Sequence, residues 1–250
     1  MLAEEIDIDE RGGTEESTRL QEAALGGHEQ TTQLLLEHQA DVSAKDRNGA
    51  TALSWAALKG RETVTRLLIE NQADVSDKGT LGGTALHMAA SRGHETVARL
   101  LIEQHADVSS KTNTGGTALH TAAHRGQETV ARLLVENEAD VSAKTNDAWT
   151  ALHAAAHGGH ETVARLLLDT GVDEQPQTDD GETPEDVATA QGHHQVAAML
   201  KAEGVRRAQC VAFAMGHHER LGSGRRCRNL MRVWCGWCWS KCDGCGAQPS

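Results

Sequence analysis

The chain has 250 residues and a formal net charge of −12, with one phenylalanine, no tyrosine and six cysteines that all lie at or beyond Cys210. Only Trp55 and Trp149 supply aromatic bulk before Phe213, so any core in the preceding body is aliphatic and alanine-rich. The acidic body argues against nonspecific nucleic-acid binding, which needs Lys and Arg at phosphates; no apolar run is long enough to span a membrane; and a body without disulfides points to cytosol or nucleus.

The first segment, residues 1–13, begins "MLAEEIDIDE" and is acidic without an apolar h-region, so it does not read as a secretory signal. From residue 14 to 207 the text repeats. Thr18, Thr51, Thr84, Thr117, Thr150 and Thr183 are each 33 residues apart, which predicts six units. The stretch "TALHMAASRGHETVARLL" at 84–101 returns almost unchanged at 117–134 and 150–167.

Each unit reads as two short helices and a loop. Thr84 is expected to cap the first helix, its hydroxyl accepting from a free backbone N–H, and Gly93 to end it. In the second helix Val97, Leu100 and Leu101 make one apolar face, with Glu95 and Arg99 outward. "ADVS" follows at 40–43, 73–76, 106–109 and 139–142, then a polar, Gly-rich turn. Helices this short do not survive alone, so neighbouring units must cover each other's apolar faces.

These residues resemble the ankyrin repeat: Thr-Ala-Leu-His matches the family's T-P-L-H, Gly-His its helix-ending pair, and Ala-Asp-Val-Ser its A-D-V-N. The resemblance implies an all-α solenoid of stacked antiparallel helix pairs with β-hairpin fingers along one edge, each unit touching only its neighbours. It implies a joint role for His87, His120 and His153, near the cap threonine and between units. It also puts a left-handed residue after each second helix, where Gln39, Gln72, His105 and Glu138 replace the family's glycine and only Gly171 and Gly204 conform. Ala52, Ala85, Ala118 and Ala151 replace its proline, which Pro184 retains. The first and last units lack the histidine and are more polar, as suits ends that face water.

The histidines also invite a metal reading, since His120 with His124 and His153 with His157 are four apart on predicted helices. A histidine recurring once per unit is better explained by a recurring joint, and the spacing places no third ligand. "HETVA" lacks the second histidine of a zinc-protease motif, and no nucleotide loop or nucleophile elbow occurs. The array reads as non-catalytic and without cofactor.

Positions that vary within a constant frame are candidates for recognition. The end of the first helix reads Leu58-Lys59, Ser91-Arg92, His124-Arg125 and His157-Gly158. The residue before the cap threonine includes Trp149, and the finger tips "DRNG" and "GTLG" carry Arg47 and Leu81. Proteins similar to this one bind through such positions. The candidate partner-binding set is therefore Trp149, Arg125, Arg92, Lys59, Leu58, His124, Arg47 and Leu81, with an exposed Trp149 beside a basic stripe that favours an acidic segment. Trp55, Met88, Thr121 and Ala154, one position after the histidine register, are expected to fill space between helices, larger toward the N-terminus. A monomer binding a protein partner, with neither membrane nor nucleic acid, is the expected state.

From Ala208 the period is lost. Residues 208–250 carry six Arg and Lys against Glu219 and Asp243, a balance of +4 that leaves −16 on the rest. Cys235 with Cys238 and Cys242 with Cys245 form two C-x-x-C pairs, but three intervening residues make tetrahedral convergence on a metal difficult. A disordered basic tail, or a segment produced by a misplaced splice or reading frame, explains the same composition. Two further readings follow: a regulatory segment of a larger assembly, and metal or nucleic-acid binding through the tail.

Overall fold

A computed structural model of the chain describes residues 9, 11–12, 17–173 and 175–206. Six helix pairs follow one another: α1 (Arg19–Gly26) with α2 (Glu29–Glu37), α3 (Ala52–Leu58) with α4 (Glu62–Glu70), α5 (Ala85–Arg92) with α6 (Glu95–Glu103), α7 (Ala118–Arg125) with α8 (Glu128–Glu136), α9 (Ala151–Gly158) with α10 (Glu161–Asp169), and α11 (Pro184–Ala190) with α12 over 194–206. A small antiparallel pair, β1 (Arg11–Gly12) with β2 (Ser17–Thr18), precedes them. Asp9 accepts a hydrogen bond from the Asp41 N–H at 3.0 Å.

Helix ends follow from local chemistry. The threonine before each first helix is extended, and Gly93, Gly126 and Gly159 close α5, α7 and α9 in the left-handed region. Each second helix from α2 to α10 opens on a glutamate, whose charge suits the positive helix N-terminus. Gln39, Gln72, His105 and Glu138 do adopt left-handed backbone, with φ of 64°, 68°, 63° and 64°, as does Gly171 at 84°. Gly204 departs from the expectation: α12 runs on through it, so it is a helical residue and not a helix terminator.

The core repeats with the sequence. Leu53, Leu86, Leu119 and Leu152 from the first helices meet Val64, Val97, Val130 and Val163 from the second, all at most 2 % exposed. Paired alanines (Ala56-Ala57, Ala89-Ala90, Ala122-Ala123, Ala155-Ala156) are fully buried. Such small side chains let the first helices pack against one another more closely than the second helices do.

The fingers are three-residue turns rather than strand ladders. In one of them Gly115 N–H donates to the Thr112 carbonyl and Thr112 N–H to the Gly116 carbonyl, both at 2.9 Å, with Gly115 at φ 81°. Their pairing runs from finger to finger: Thr80 N–H reaches the Asn48 carbonyl, Asn113 N–H that of Leu81 and Asn146 N–H that of Thr114, at 2.9–3.0 Å. The fourth finger places Ala148 at the left-handed position, with φ 59°, where the others from Gly49 to Gly181 have glycine.

Candidate functional site

The histidines form two ladders that run in opposite directions. In the forward ladder, Nε2 of His87, His120 and His153 faces the carbonyl of Gly116, Trp149 and Glu182 in the next unit at 3.3, 3.1 and 3.2 Å. A carbonyl only accepts, so Nε2 carries the proton and Nδ1 is the acceptor. Nδ1 receives the cap threonine's backbone N–H at 3.2–3.3 Å and lies 2.9–3.0 Å from its hydroxyl. The threonine hydroxyl thus lies against the histidine, while the hydroxyls of Thr18, Thr51 and Thr183 accept the expected backbone N–H of residue N3. Burial holds all three histidines below their ordinary pKa, which keeps them neutral.

The backward ladder joins His94, His160 and His193 to the carbonyls of Leu58, His124 and His157 in the preceding unit, at 3.0–3.1 Å. Gly60, left-handed at φ 67°, has a second reason to be glycine, because a Cβ there would lie 2.5 Å from His94 Nδ1.

End units solve the joint differently. Gln21 accepts the Thr18 N–H at 2.8 Å and donates forward to the Ala44 and Ala50 carbonyls at 2.8 and 3.0 Å. Asp186, in the last repeat among the described residues, accepts from the Thr183 hydroxyl and N–H, which hold its carboxyl below the usual range. Ser54 occupies the same register in the second unit. Its hydroxyl goes no further than Thr51, at 3.3 Å.

Where Ser54 stands, the joint opens. A cleft of about 210 Å³ lies between α3 and α5, walled by Trp55, Leu58, Leu81 and Met88 and floored by Ser54 and the finger glycines Gly79 and Gly83. Trp55 and Met88 are half-buried; Met88 packs against the core as expected, and both also wall this cleft. The Trp55 indole N–H donates to Asp46 at 3.0 Å, fixing the ring.

The candidate residues divide into two groups. Leu58 and Leu81 share the cleft, with Lys59 following Leu58 and Arg47 beside Asn48 on its wall. His124, Arg125 and Trp149 gather two units further on, and Arg92 stands between the groups at the end of α5. Trp149 is half-buried, not exposed: its ring lies back on α9, with centroids 5.9 Å from His153 and 5.6 Å from His157. His157 in turn stacks on His124 at 5.2 Å. Burial, then the neighbouring His157 and Arg125, hold His124 below its ordinary pKa.

Cations sort by face. On the second helices Arg66, Arg99, Arg132 and Arg165 each pair with a glutamate one turn earlier, at 2.7–3.3 Å. Arg47, Lys59, Arg92 and Arg125 are exposed and make no ion pair among the described residues. Metal chemistry has little to work with here, because His120 and His153 spend both ring nitrogens on the joint, and no group of three ligands occurs among the described residues. Cys235, Cys238, Cys242 and Cys245 lie outside the described residues. No described helix is long and apolar enough to cross a membrane.

Sequence reasoning missed Ser54, Trp55 and Met88. The signal was present in the register: "TALS" replaces "TALH" at 51–54, and the following position carries Trp55 and Met88 in the two units that flank the gap. A family model described as ankyrin repeats matches in three copies, over residues 1–79, 75–145 and 141–207. No curated protein matches the chain.

Proposed function

The chain belongs to the ankyrin-repeat family, and from that premise we propose that it is a non-catalytic adaptor, a monomer that binds a protein partner through its concave first-helix face and finger tips. Ankyrin repeats are generally protein-interaction modules and usually non-catalytic. The observation that carries the reading is the sorting of cations. On the outer face each arginine and its glutamate offset each other's charge at the surface and leave little to attract a partner. Lys59, Arg92 and Arg125 recur one repeat apart on the first-helix side without an ion-pair partner among the described residues, in an array whose net charge is otherwise negative. That stripe favours an acidic segment locally, and Trp149 and Leu81 add apolar anchors of the kind that dominate binding energy.

The test is affinity capture from a cell lysate with the full chain, beside the same chain carrying Trp149→Ala and Arg125→Glu. Circular dichroism first establishes that both are equally helical. A set of proteins retained by the wild type and lost from the variant is the expected result. Identical retention by both would show that this face is not the binding surface.

A further inference from the structure

The cleft beside Ser54 lies within the surface proposed above and rests on that reading, but its chemistry narrows the partner. Its volume of about 210 Å³ falls below the roughly 300 Å³ at which small-molecule pockets begin, and suits a single bulky side chain. Leu81, on its wall, is 79 % exposed at a finger tip. The corresponding tips carry Arg47-Asn48, Asn113-Thr114, Asn146-Asp147 and Asp179-Asp180, so the turn itself has no need of a leucine. Trp55 is already held in place by Asp46, which leaves little ordering to be done when an apolar group enters.

Charge decides what surrounds that apolar group. Lys59 lies one turn beyond Trp55 on α3's face, Arg92 one turn beyond Met88 on α5's, and Arg47 adjoins the finger wall. None of the three has an ion-pair partner among the described residues. Toward the other end, Asp147, Asp179, Asp180 and Glu182 crowd the last fingers and would repel an anionic ligand.

We infer that the cleft between the second and third repeats takes one bulky apolar side chain from an acidic peptide segment, whose carboxylates lie against Arg47, Lys59 and Arg92. The segment engages the N-terminal half of the groove.

A phage-displayed library of random peptides, panned on the full-length chain, tests this. The expected enrichment is a Leu, Ile, Met, Phe or Trp flanked by Asp and Glu. Binding of the enriched peptides, made synthetically, should weaken about tenfold or more with Leu81→Ser and again with Lys59→Glu, and should weaken as salt is raised. Leu81 is so exposed that its replacement leaves the fold intact, as circular dichroism will verify. Peptides that are basic or uncharged, or acidic peptides indifferent to Leu81→Ser, would overturn the inference. If their binding is nonetheless lost with Trp149→Ala and Arg125→Glu, the adaptor reading stands and only the cleft is wrong. No peptide sensitive to either set of changes would overturn both.

Discussion

The joint between repeats two and three and the joint between repeats four and five differ at the histidine register, Ser54 in one and His120 in the other, as well as in the residues around it. Both keep the backward bridge, from His94 to Leu58 in one and from His160 to His124 in the other. Only the second has the forward bridge, from His120 to the Trp149 carbonyl; at the first, Ser54 is too short to cross. Where the imidazole spans, it satisfies three polar groups: the cap threonine's N–H and hydroxyl and the next unit's carbonyl. Where it is missing, a cleft opens with Trp55 and Met88 on its walls. A scaffold residue and a recognition site are thus alternatives at one register position, and the array writes the scaffold three times.

The largest effect should come from removing a bridge. His120→Ala leaves the Thr117 N–H and the Trp149 carbonyl without their buried partner and a void behind them, and should cost about 2–4 kcal/mol in urea unfolding. Ser54→Ala at the other joint, by contrast, should cost well under about 1 kcal/mol. Equal losses would erase the distinction between the joints.

Acid should separate the two regions without mutation. His87, His120 and His153 titrate below the ordinary value of 6.5 in the folded protein, chiefly through burial. The unfolded chain therefore takes up these protons first as pH falls. Stability from the three joints is fully present above 6.5 and is lost as pH drops through the folded values. Gln21 and Ser54 do not titrate, so below 6.5 amide protection, corrected for the intrinsic pH dependence of exchange, should fall first in repeats three to six.

Restoring the bridge is the converse test. Ser54→His should gain about 1 kcal/mol if its Nε2 reaches the Gly83 carbonyl, and should reduce peptide binding at the cleft by filling it. The smallest effect concerns the fourth finger. Ala148 is left-handed where other fingers have glycine, so Ala148→Gly should raise stability by about 0.5–1 kcal/mol in a thermal melt. Gly115→Ala should lower it by more, about 1–2 kcal/mol, because its Cβ would also lie 2.8 Å from the Asn146 backbone nitrogen.

Much of this was legible in the sequence because the physics is local and recurs. A threonine cap, a closing glycine and a Val-Leu face specify each helix pair. Even the left-handed Gln39, Gln72, His105 and Glu138 could be anticipated from their register. The end of the array was harder, since Gly204 terminates nothing unless the chain around it turns, and α12 continues. Trp149 shows the other limit. Its position was readable, but the direction of its ring, back along α9 onto His157, depends on side chains two turns away. The cleft needed both kinds of knowledge: that Ser54 shares the histidine register, and that the space a histidine would occupy is not filled from elsewhere.

The most direct measurement is amide hydrogen exchange on the wild-type chain, comparing α3 and α5 with α7 and α9. The two joints lie at mirror positions in the array, so fraying from the ends affects them alike. Faster exchange across α3 and α5, slowed to match α7 and α9 by Ser54→His, is the result expected if the forward histidine closes a joint. Equal protection at both joints in the wild type would contradict it.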